Sequence, residues 1–352
     1  MAQFHSLTIK SIDKVTDQSV AITFDIPEDL KENFTFKAGQ YITLKTEINN
    51  EDIRRDYSIC ASKNSGNLTV AVKAVEDGTF SVYANEKLKV GDTIEVAEPN
   101  GRFVFEANAA KTRTIAAFAA GSGITPVLSI AKTLLEEEPF SNFILVYGNK
   151  SSEDTMFFKD LVDLQSVYGN RIHVHFIYSQ AKEEDALFGR IEKSTVNLIV
   201  KNKYKGVTIE NFYLCGPEQM IHTVKDVLIE NGVKEKAILF ELFTAAIETA
   251  SDSKTETLSG NSKLRVLVDE EAFDFEMSKD QTILDAALKQ DIDAPYSCQG
   301  GICSSCIARV TEGEAEMRQN NILTDSEVAE GLILTCQAHP TSSNLVVDYD
   351  DV

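Results

Sequence analysis

The sequence predicts a multidomain chain. It reads as a small antiparallel β-barrel over residues 1–108, an α/β domain with a parallel sheet over 109–247, a polar linker at 248–262 and a compact α+β module over 263–352. Three observations predict this. Short strands of alternating polarity, separated by turn residues, crowd the N-terminal part. Buried strands then alternate with amphipathic helices. The last part gathers four of the six cysteines, Cys298, Cys303 and Cys306 in one loop and Cys336 later.

A length of 352 residues accommodates two or three cores. Hydrophobic content of 43% and charged content of 25% are ordinary globular values. Net charge is −21, and Leu264 to Val352 carries −13 of it, as 18 Asp and Glu against 5 Lys and Arg. That sign opposes binding to nucleic acid or to a membrane surface. It suits a solvated face, or one that steers a basic partner. The N-terminus shows no charged region followed by an apolar core, so no signal peptide is expected. The uncharged run Thr114–Ala131 is interrupted by Gly121, Ser122, Gly123, Thr125 and Pro126, which suits a strand–turn–helix rather than a membrane span. Cysteines clustered in this way point to metal binding in a reducing compartment, the cytoplasm, rather than to disulfides.

In the first domain Ser19–Asp25 and Tyr41–Lys45 alternate in polarity, and Asn64-Ser-Gly-Asn67 between Tyr57–Cys60 and Leu68–Lys73 is a hairpin signal. Gly78-Thr79-Phe80-Ser81 opens a short helix whose N-terminal amides suit phosphate. In the second domain Thr112–Ala120 reads as a buried strand leading into Gly121-Ser122-Gly123-Ile124-Thr125-Pro126. A helix follows with Val127, Ile130, Ala131 and Leu134 on one face, Thr125 as N-cap and Pro126 in the first position. A strand, a glycine turn and a helix start make a nucleotide-phosphate cradle, although the full G-x-G-x-x-G is missing. Strands at Phe143–Tyr147, Ile172–Tyr178 and Asn211–Cys215 alternate with helices at Met156–Val167 and Met220–Asn231, giving a parallel sheet. His173 and His175 alternate along a strand with no ligand companion and read as ordinary strand residues.

Ala245–Ser262 is small and polar and reads as a flexible tether. Beyond it, strands at Lys263–Val268 and Ala272–Met277 precede a helix capped by Thr282, with Asp285 in the capping-box position. The cysteine spacing C-x4-C-x2-C…C is the plant-type [2Fe–2S] pattern, in which four thiolates hold two irons. Gly300 and Gly301 let backbone amides approach the sulfurs. A Cys3His zinc site from Cys303, Cys306, Cys336 and His339 competes on spacing, although it strands Cys298.

Arg55-Asp56-Tyr57-Ser58, followed by Val72-Lys73 and by Gly78–Ser81, matches the R-x-Y-S, V-K and G-x-x-S order of the ferredoxin–NADP reductase superfamily, and the chain resembles that superfamily. Glu98–Phe103 is similar to its barrel-closing loop, Gly121–Pro126 and Cys215-Gly216-Pro217 to its nicotinamide turns, and Phe240-Glu241-Leu242-Phe243 to its E-x-F ending. The C-terminal part resembles a plant-type ferredoxin of β-grasp fold. The module order resembles the reductase subunits of phenylacetyl-CoA epoxidase complexes; phthalate-dioxygenase-type reductases share the order but use FMN.

The resemblance implies an NAD(P)H-dependent oxidoreductase passing electrons from NADPH through FAD and [2Fe–2S] to the oxygenase component, di-iron or Rieske-type, of a multisubunit complex. It implies that Arg55 pairs with pyrophosphate, Tyr57 stacks on the flavin and Ser58 donates to its N5. Val72, Lys73, Gly78, Thr79, Phe80 and Ser81 complete the flavin site, and Gly121 to Pro126 with Cys215, Gly216 and Pro217 the nicotinamide site. Cys215 and Glu241 join Ser58 as catalytic groups. Ser179 and Arg190, where an NAD site would place an acid, favour a 2′-phosphate, although Glu183, Glu184 and Asp185 lie nearby. A redox-sensing or zinc-stabilised interaction module is the reading from another class.

Overall fold

The computed structural model describes residues 3–243 and 260–352. The described residues divide into two compact units, Phe4–Phe243 and a C-terminal one over 260–352.

The first unit begins with β1 (Phe4–Thr16) and β2 (Ser19–Asp25), followed by β3 (Tyr41–Ile48), β4 (Glu51–Ser58) and β5 (Leu68–Lys73). Helix α1 (Thr79–Glu86) and β6 (Thr93–Ala97) complete the barrel. The sheet order is β4-β3-β6-β1-β2-β5. Bulges between Ile9 and Ser11 and between Lys14 and Thr16 interrupt the register of β1, so one long strand bends from β6 to β2. The hairpin expected between Tyr57–Cys60 and Leu68–Lys73 is not a two-stranded ladder. Instead β5 pairs with β2, and the two end strands meet only at the Ile59–Val70 bridge and the Cys60 N–H to Thr69 carbonyl bond of 2.9 Å. The polar turn at 64–67 therefore closes a barrel, removing an open edge.

The α/β part carries β7 (Thr114–Ala120), α2 (Ile124–Glu137), β8 (Asn142–Asn149), α3 (Phe158–Tyr168), β9 (Ile172–Tyr178) and β10 (Leu187–Phe188). It continues with α4 (Lys193–Asn197), β11 (Ile209–Gly216), α5 (Glu218–Glu230) and β12 (Ile238–Leu242). All pairings are parallel, in the order β10-β9-β8-β7-β11-β12. Ile115, Ala117 and Ala119 share a core with Val127, Ile130, Ala131 and Leu134 of α2, while the alternate Ala116 and Phe118 are equally buried. A strand buried on both faces reads as a continuous apolar run, which is why β7 was legible. The chain moves outward from β7 through β8 to β10 and returns beside β7 as β11. That reversal opens a crevice at the carboxyl ends of β7 and β11.

Thr125 is not the N-cap. A 3₁₀ turn at Gly121–Gly123 starts the helix early, Gly123 occupies the cap position, and the Thr125 hydroxyl donates to the Ser122 carbonyl at 3.0 Å. Pro126 then falls inside the first turn, where its missing N–H costs no hydrogen bond. Barrel and α/β part share a core through Ala38, Phe103 and Phe105. They are joined by the Ser129 hydroxyl donating to Ala61 O at 2.7 Å, and by Tyr213, whose hydroxyl reaches Val104 O at 3.1 Å and whose ring lies 5.2 Å from that of Phe103. At the opposite end of the sheet, fully buried Glu138 binds Arg113 at 2.6 and 3.1 Å and accepts from Ser141 and from the Asn108 amide.

The second unit is a sheet of β14-β13-β19-β15-β17 with a β16-β18 pair. Its elements are β13 (Asn261–Val268), β14 (Glu271–Ser278), α6 (Ile283–Leu288), β15 (Ile307–Glu312), β16 (Ala315–Met317), α7 (Asp325–Ala329), β17 (Leu332–Leu334), β18 (Ala338–Pro340) and β19 (Asn344–Asp348). Asn261 and Ser262, read as the end of the tether, already belong to β13; residues 245–259 of that stretch lie outside the described residues. Asp269 and Glu270 turn the β13–β14 hairpin with φ of 54° and 62°, and their amides donate to the Asp350 carboxylate at 2.9 Å each. Thr282 caps α6 as expected, accepting from the Asp285 amide at 3.1 Å. Ile283, Leu284 and Ala287 of α6 pack against Leu264, Val266 and Val347, the helix-on-sheet arrangement expected of a β-grasp.

Candidate active site and cluster-binding loop

Ser58, Cys215 and Glu241 come together. Cys215 and Glu241 are register partners on β11 and β12, and the Ser58 hydroxyl at the end of β4 donates to the Glu241 carboxylate at 3.2 Å. Glu241 is half-buried, and desolvation pushes its carboxyl up to about 8 against the opposing Ser58 bond, with the Asp56 carboxylate adding to the rise. Asp56 is itself held by Thr43 at 2.6 Å. Cys215 is fully buried in the core, and burial raises its thiol well above the ordinary range, so it stays protonated. It offers no thiolate; its place at the strand end shapes the site by packing.

Beside this cluster lies a cleft of about 410 Å³ lined by Lys73, Gly121, Lys150, Ser179, Arg190, Pro217 and Gln219 among others. Gly121, Ser179, Arg190 and Pro217 were expected there. Lys73 was expected at the flavin; burial lowers its pKa, and its charged neighbours are Asp154 and Lys150. Val72 is wholly buried and its carbonyl accepts from Asn85 at 3.1 Å, so its side chain belongs to the barrel core. Lys150, Gln219 and Thr223 were missed. The signal for Lys150 was positional, since a residue just past the carboxyl end of a strand lines the crevice of an open α/β sheet, whereas Gln219 and Thr223 face it from α5. Gly123 and Gly216 are where the backbones converge: a Cβ on Gly123 would lie 2.1 Å from Cys215 O.

On the barrel, Arg55 is exposed, and its guanidinium donates to the Arg54 carbonyl at 2.7 Å. Tyr57 lies 5.4 Å from the buried Phe80 ring. Helix α1 starts after Gly78 with no side-chain cap, while the Ser81 hydroxyl is occupied by the Val75 amide at 3.2 Å. A guanidinium facing solvent, a propped aromatic ring and uncapped helix amides fit a flavin nucleotide: a cation and amides for phosphate, a ring face for the isoalloxazine.

In the second unit the loop approaches Cys336 from several sides. Cys303, Cys306 and Cys336 are buried and Cys298 is half-buried. Cys306 and Cys336 are hydrogen-bonded to each other, which pushes the first thiol's pKa up and the second's down, and Cys298 lies near both. The Gly300 amide donates to Cys298 Sγ at 3.3 Å, and the Gly301 amide is directed at Cys336. Gly301 needs its φ of 70°, and a Cβ there would meet the Gln337 side chain at 3.0 Å. Thiols within hydrogen-bonding range, ringed by amides, fit a two-iron cluster. His339, the fourth member of the competing zinc set, is buried with Nδ1 3.3 Å from Lys279 O, and its charged neighbours are Arg318 and Asp280 rather than cysteines.

Comparison with known proteins agrees part by part. Residues 6–105 match the oxidoreductase FAD-binding domain, 118–226 the oxidoreductase NAD-binding domain and 266–341 the 2Fe-2S iron-sulfur cluster binding domain. The fold is shared with phthalate dioxygenase reductase, at 24% identity and a TM-score of 0.62 over 98% of both chains. Fold and site together define an electron-transfer oxidoreductase built from flavin, nicotinamide and [2Fe–2S] domains, the reductase component of an oxygenase system. A 1,2-phenylacetyl-CoA epoxidase subunit from Escherichia coli (strain K12) is 38% identical over 99% of both chains, and the protein belongs to its family. The ferredoxin reductase component of 3-ketosteroid-9-alpha-monooxygenase from Rhodococcus rhodochrous is 28% identical over 97% of this chain and 96% of its own. No helix among the described residues is long and apolar enough to cross a membrane.

Proposed function

We propose that this protein takes electrons from NADPH and delivers them singly to a di-iron oxygenase acting on phenylacetyl-CoA, in the reducing cytoplasm. Its parts are a flavin barrel over 1–108, a nicotinamide domain over 109–247, a linker over 248–262 and a ferredoxin over 263–352. The observation that carries the reading is the convergence of Ser58, Glu241 and Cys215 beside a cation-lined cleft at the carboxyl ends of β7 and β11. The full-length likeness to a phenylacetyl-CoA epoxidase component supports the choice of acceptor.

Arg55 and the α1 amides at Thr79 to Ser81 hold the pyrophosphate of FAD, and Tyr57, propped by Phe80, presents a ring face to the flavin. When bound, the flavin supplies conversion between paired and single electrons and the cluster supplies one-electron carriage. Ser58 and Glu241 would do the protein's share: the carboxyl, neutral below about 8, holds the serine hydroxyl by a hydrogen bond and puts no charge beside the group that hydroxyl would meet. Cys215 seals the nicotinamide end against water. Gly121 to Pro126 with Gly216 and Pro217 cradle the dinucleotide, and Cys298, Cys303, Cys306 and Cys336 ligate the cluster.

Ser179, Arg190 and Lys150 in one cleft favour a 2′-phosphate. The test is kcat/KM for NADPH and NADH with an artificial acceptor, then with the purified epoxidase oxygenase. Arg190→Ala should raise KM for NADPH about tenfold and leave NADH nearly unchanged, the size of one lost charge-assisted contact. Equal loss with both nucleotides refutes the 2′-phosphate assignment. Failure to support epoxidation, with artificial-acceptor activity intact, refutes the acceptor.

A further inference from the structure

Two donors beside the cysteine loop have no partner among the described residues. Ser297 immediately precedes Cys298 and is 1% exposed, yet its hydroxyl makes no hydrogen bond. Asn321 is tied to the loop through its amide, which reaches Gly301 O at 3.3 Å, and its side-chain Nδ2 is buried and unbonded. The polar groups around them are satisfied. Thr335 donates to Cys306 O at 3.0 Å, Tyr349 to Thr335 at 2.9 Å, Gln337 to Gln299 O at 3.0 Å and Asn320 to Leu323 O at 2.9 Å. His339 Nε2 is also unbonded, but that ring is turned to the Lys279 segment. An unpaired buried donor costs about 1–3 kcal/mol, and native proteins keep few of them without a reason.

We infer that Ser297 Oγ and Asn321 Nδ2 are positioning donors that hydrogen-bond sulfur atoms of the bound [2Fe–2S] cluster and raise its reduction potential. The inference rests on the reading that the four cysteines hold that cluster. Loading would bring sulfide acceptors to the loop and turn its thiols into thiolates, beside two buried donors that have no bond without it. Each bond strengthens when the cluster gains an electron, because its acceptor becomes more negative, so each bond favours the reduced form.

The experiment uses the full-length holoprotein with Ser297→Ala and Asn321→Ala. Iron, acid-labile sulfide and the visible spectrum of the unaltered protein are measured first; absence of a cluster refutes the underlying reading rather than the donors. An EPR-monitored titration then gives the cluster potential, and urea midpoints are taken with and without iron. Each variant should shift the reduction equilibrium about fivefold to tenfold toward the oxidised form, where tenfold is 59 mV for one electron. The iron-free proteins should be as stable as the parent or more so, since no bond is lost there. Unchanged potentials overturn the inference, as does equal destabilisation with and without iron, which would place a water or a protein group on the donor. A shift in one variant alone assigns the bond to that residue and overturns it for the other. If Ser297→Ala fails to assemble a cluster, Ser297→Thr, which keeps the hydroxyl, must assemble one at the parent potential, and its failure to do so overturns the role of Ser297.

Discussion

Gly121 and Gly123 stand two residues apart in the same turn, and alanine should affect them in opposite measure to what backbone angles suggest. Gly121 has φ of 55°, a conformation side chains avoid, yet a Cβ there meets nothing within 4 Å. Gly123 has an ordinary helical φ of −60°, but its Cβ would fall 2.1 Å from Cys215 O, 2.5 Å from Cys215 C and 2.8 Å from Gly216 N. Ordinary contact begins at 3.4 Å, so the end of β11 or the turn must move by more than 1 Å. The obstacle is backbone paired to Ala119 on one side and Glu241 on the other, with no flexible side chain to yield. Overpacking a core typically costs about 1–3 kcal/mol, and a backbone clash belongs at or above the top of that range. Gly121→Ala should cost about 1 kcal/mol, the left-handed strain alone. Urea unfolding followed by far-UV circular dichroism measures both, and fluorescence titration with NADPH measures the cleft. Gly123→Ala should lose at least about 3 kcal/mol and more than tenfold in affinity. A variant as well tolerated as Gly121→Ala would show that turn and strand do not approach as described.

Three other perturbations separate the site from its supports. Glu241 has a folded value of about 8 against an ordinary 4.5, so the folded protein keeps a proton that the unfolded chain has released; the stability this confers is full below 4.5 and is lost as pH rises through 8. Glu241→Gln should therefore gain on the parent between pH 5 and 9, by roughly 2–3 kcal/mol after discounting for partial solvent contact, and a pH-independent difference in urea midpoints would refute it. Glu138→Ala removes the fully buried partner of the Arg113 guanidinium, leaving it Glu210 and the Glu106 carbonyl, each at 2.9 Å, and should cost about 3 kcal/mol with nucleotide affinity unchanged; a loss under about 1 kcal/mol would refute the argument from burial. Gly301→Ala combines left-handed strain with a 3.0 Å approach to Gln337, so iron per chain should fall severalfold while flavin content holds, and normal iron content would refute the stated crowding.

What could be read from the sequence was local. The cysteine spacing, the Thr282 cap and the double-sided burial of β7 are written in adjacent residues, and each stands where expected. The misplaced features depend on distant partners. Thr125 looked like a cap because the 3₁₀ turn before it is invisible to a pattern of caps and periods. The turn at 64–67 looked like a hairpin because tight turns usually join neighbouring strands, whereas here barrel closure carries the chain across to β2. Lys73, expected at the flavin, also lines the cleft, and only the packing of barrel against sheet shows this. β1 is hard to read because its bulges break the alternation that marks a strand. Lys150 was within reach, since a residue one position past β8 lies at the crevice by its place alone.

The burial of Cys215 bears on durability. A reductase that passes electrons in air works amid peroxide and superoxide, and cysteine oxidation begins at the thiolate. Protonated and fully buried, Cys215 lacks both the charge and the access that sulfenic acid formation requires. The packing that keeps this thiol protonated thus also spares it from oxidation.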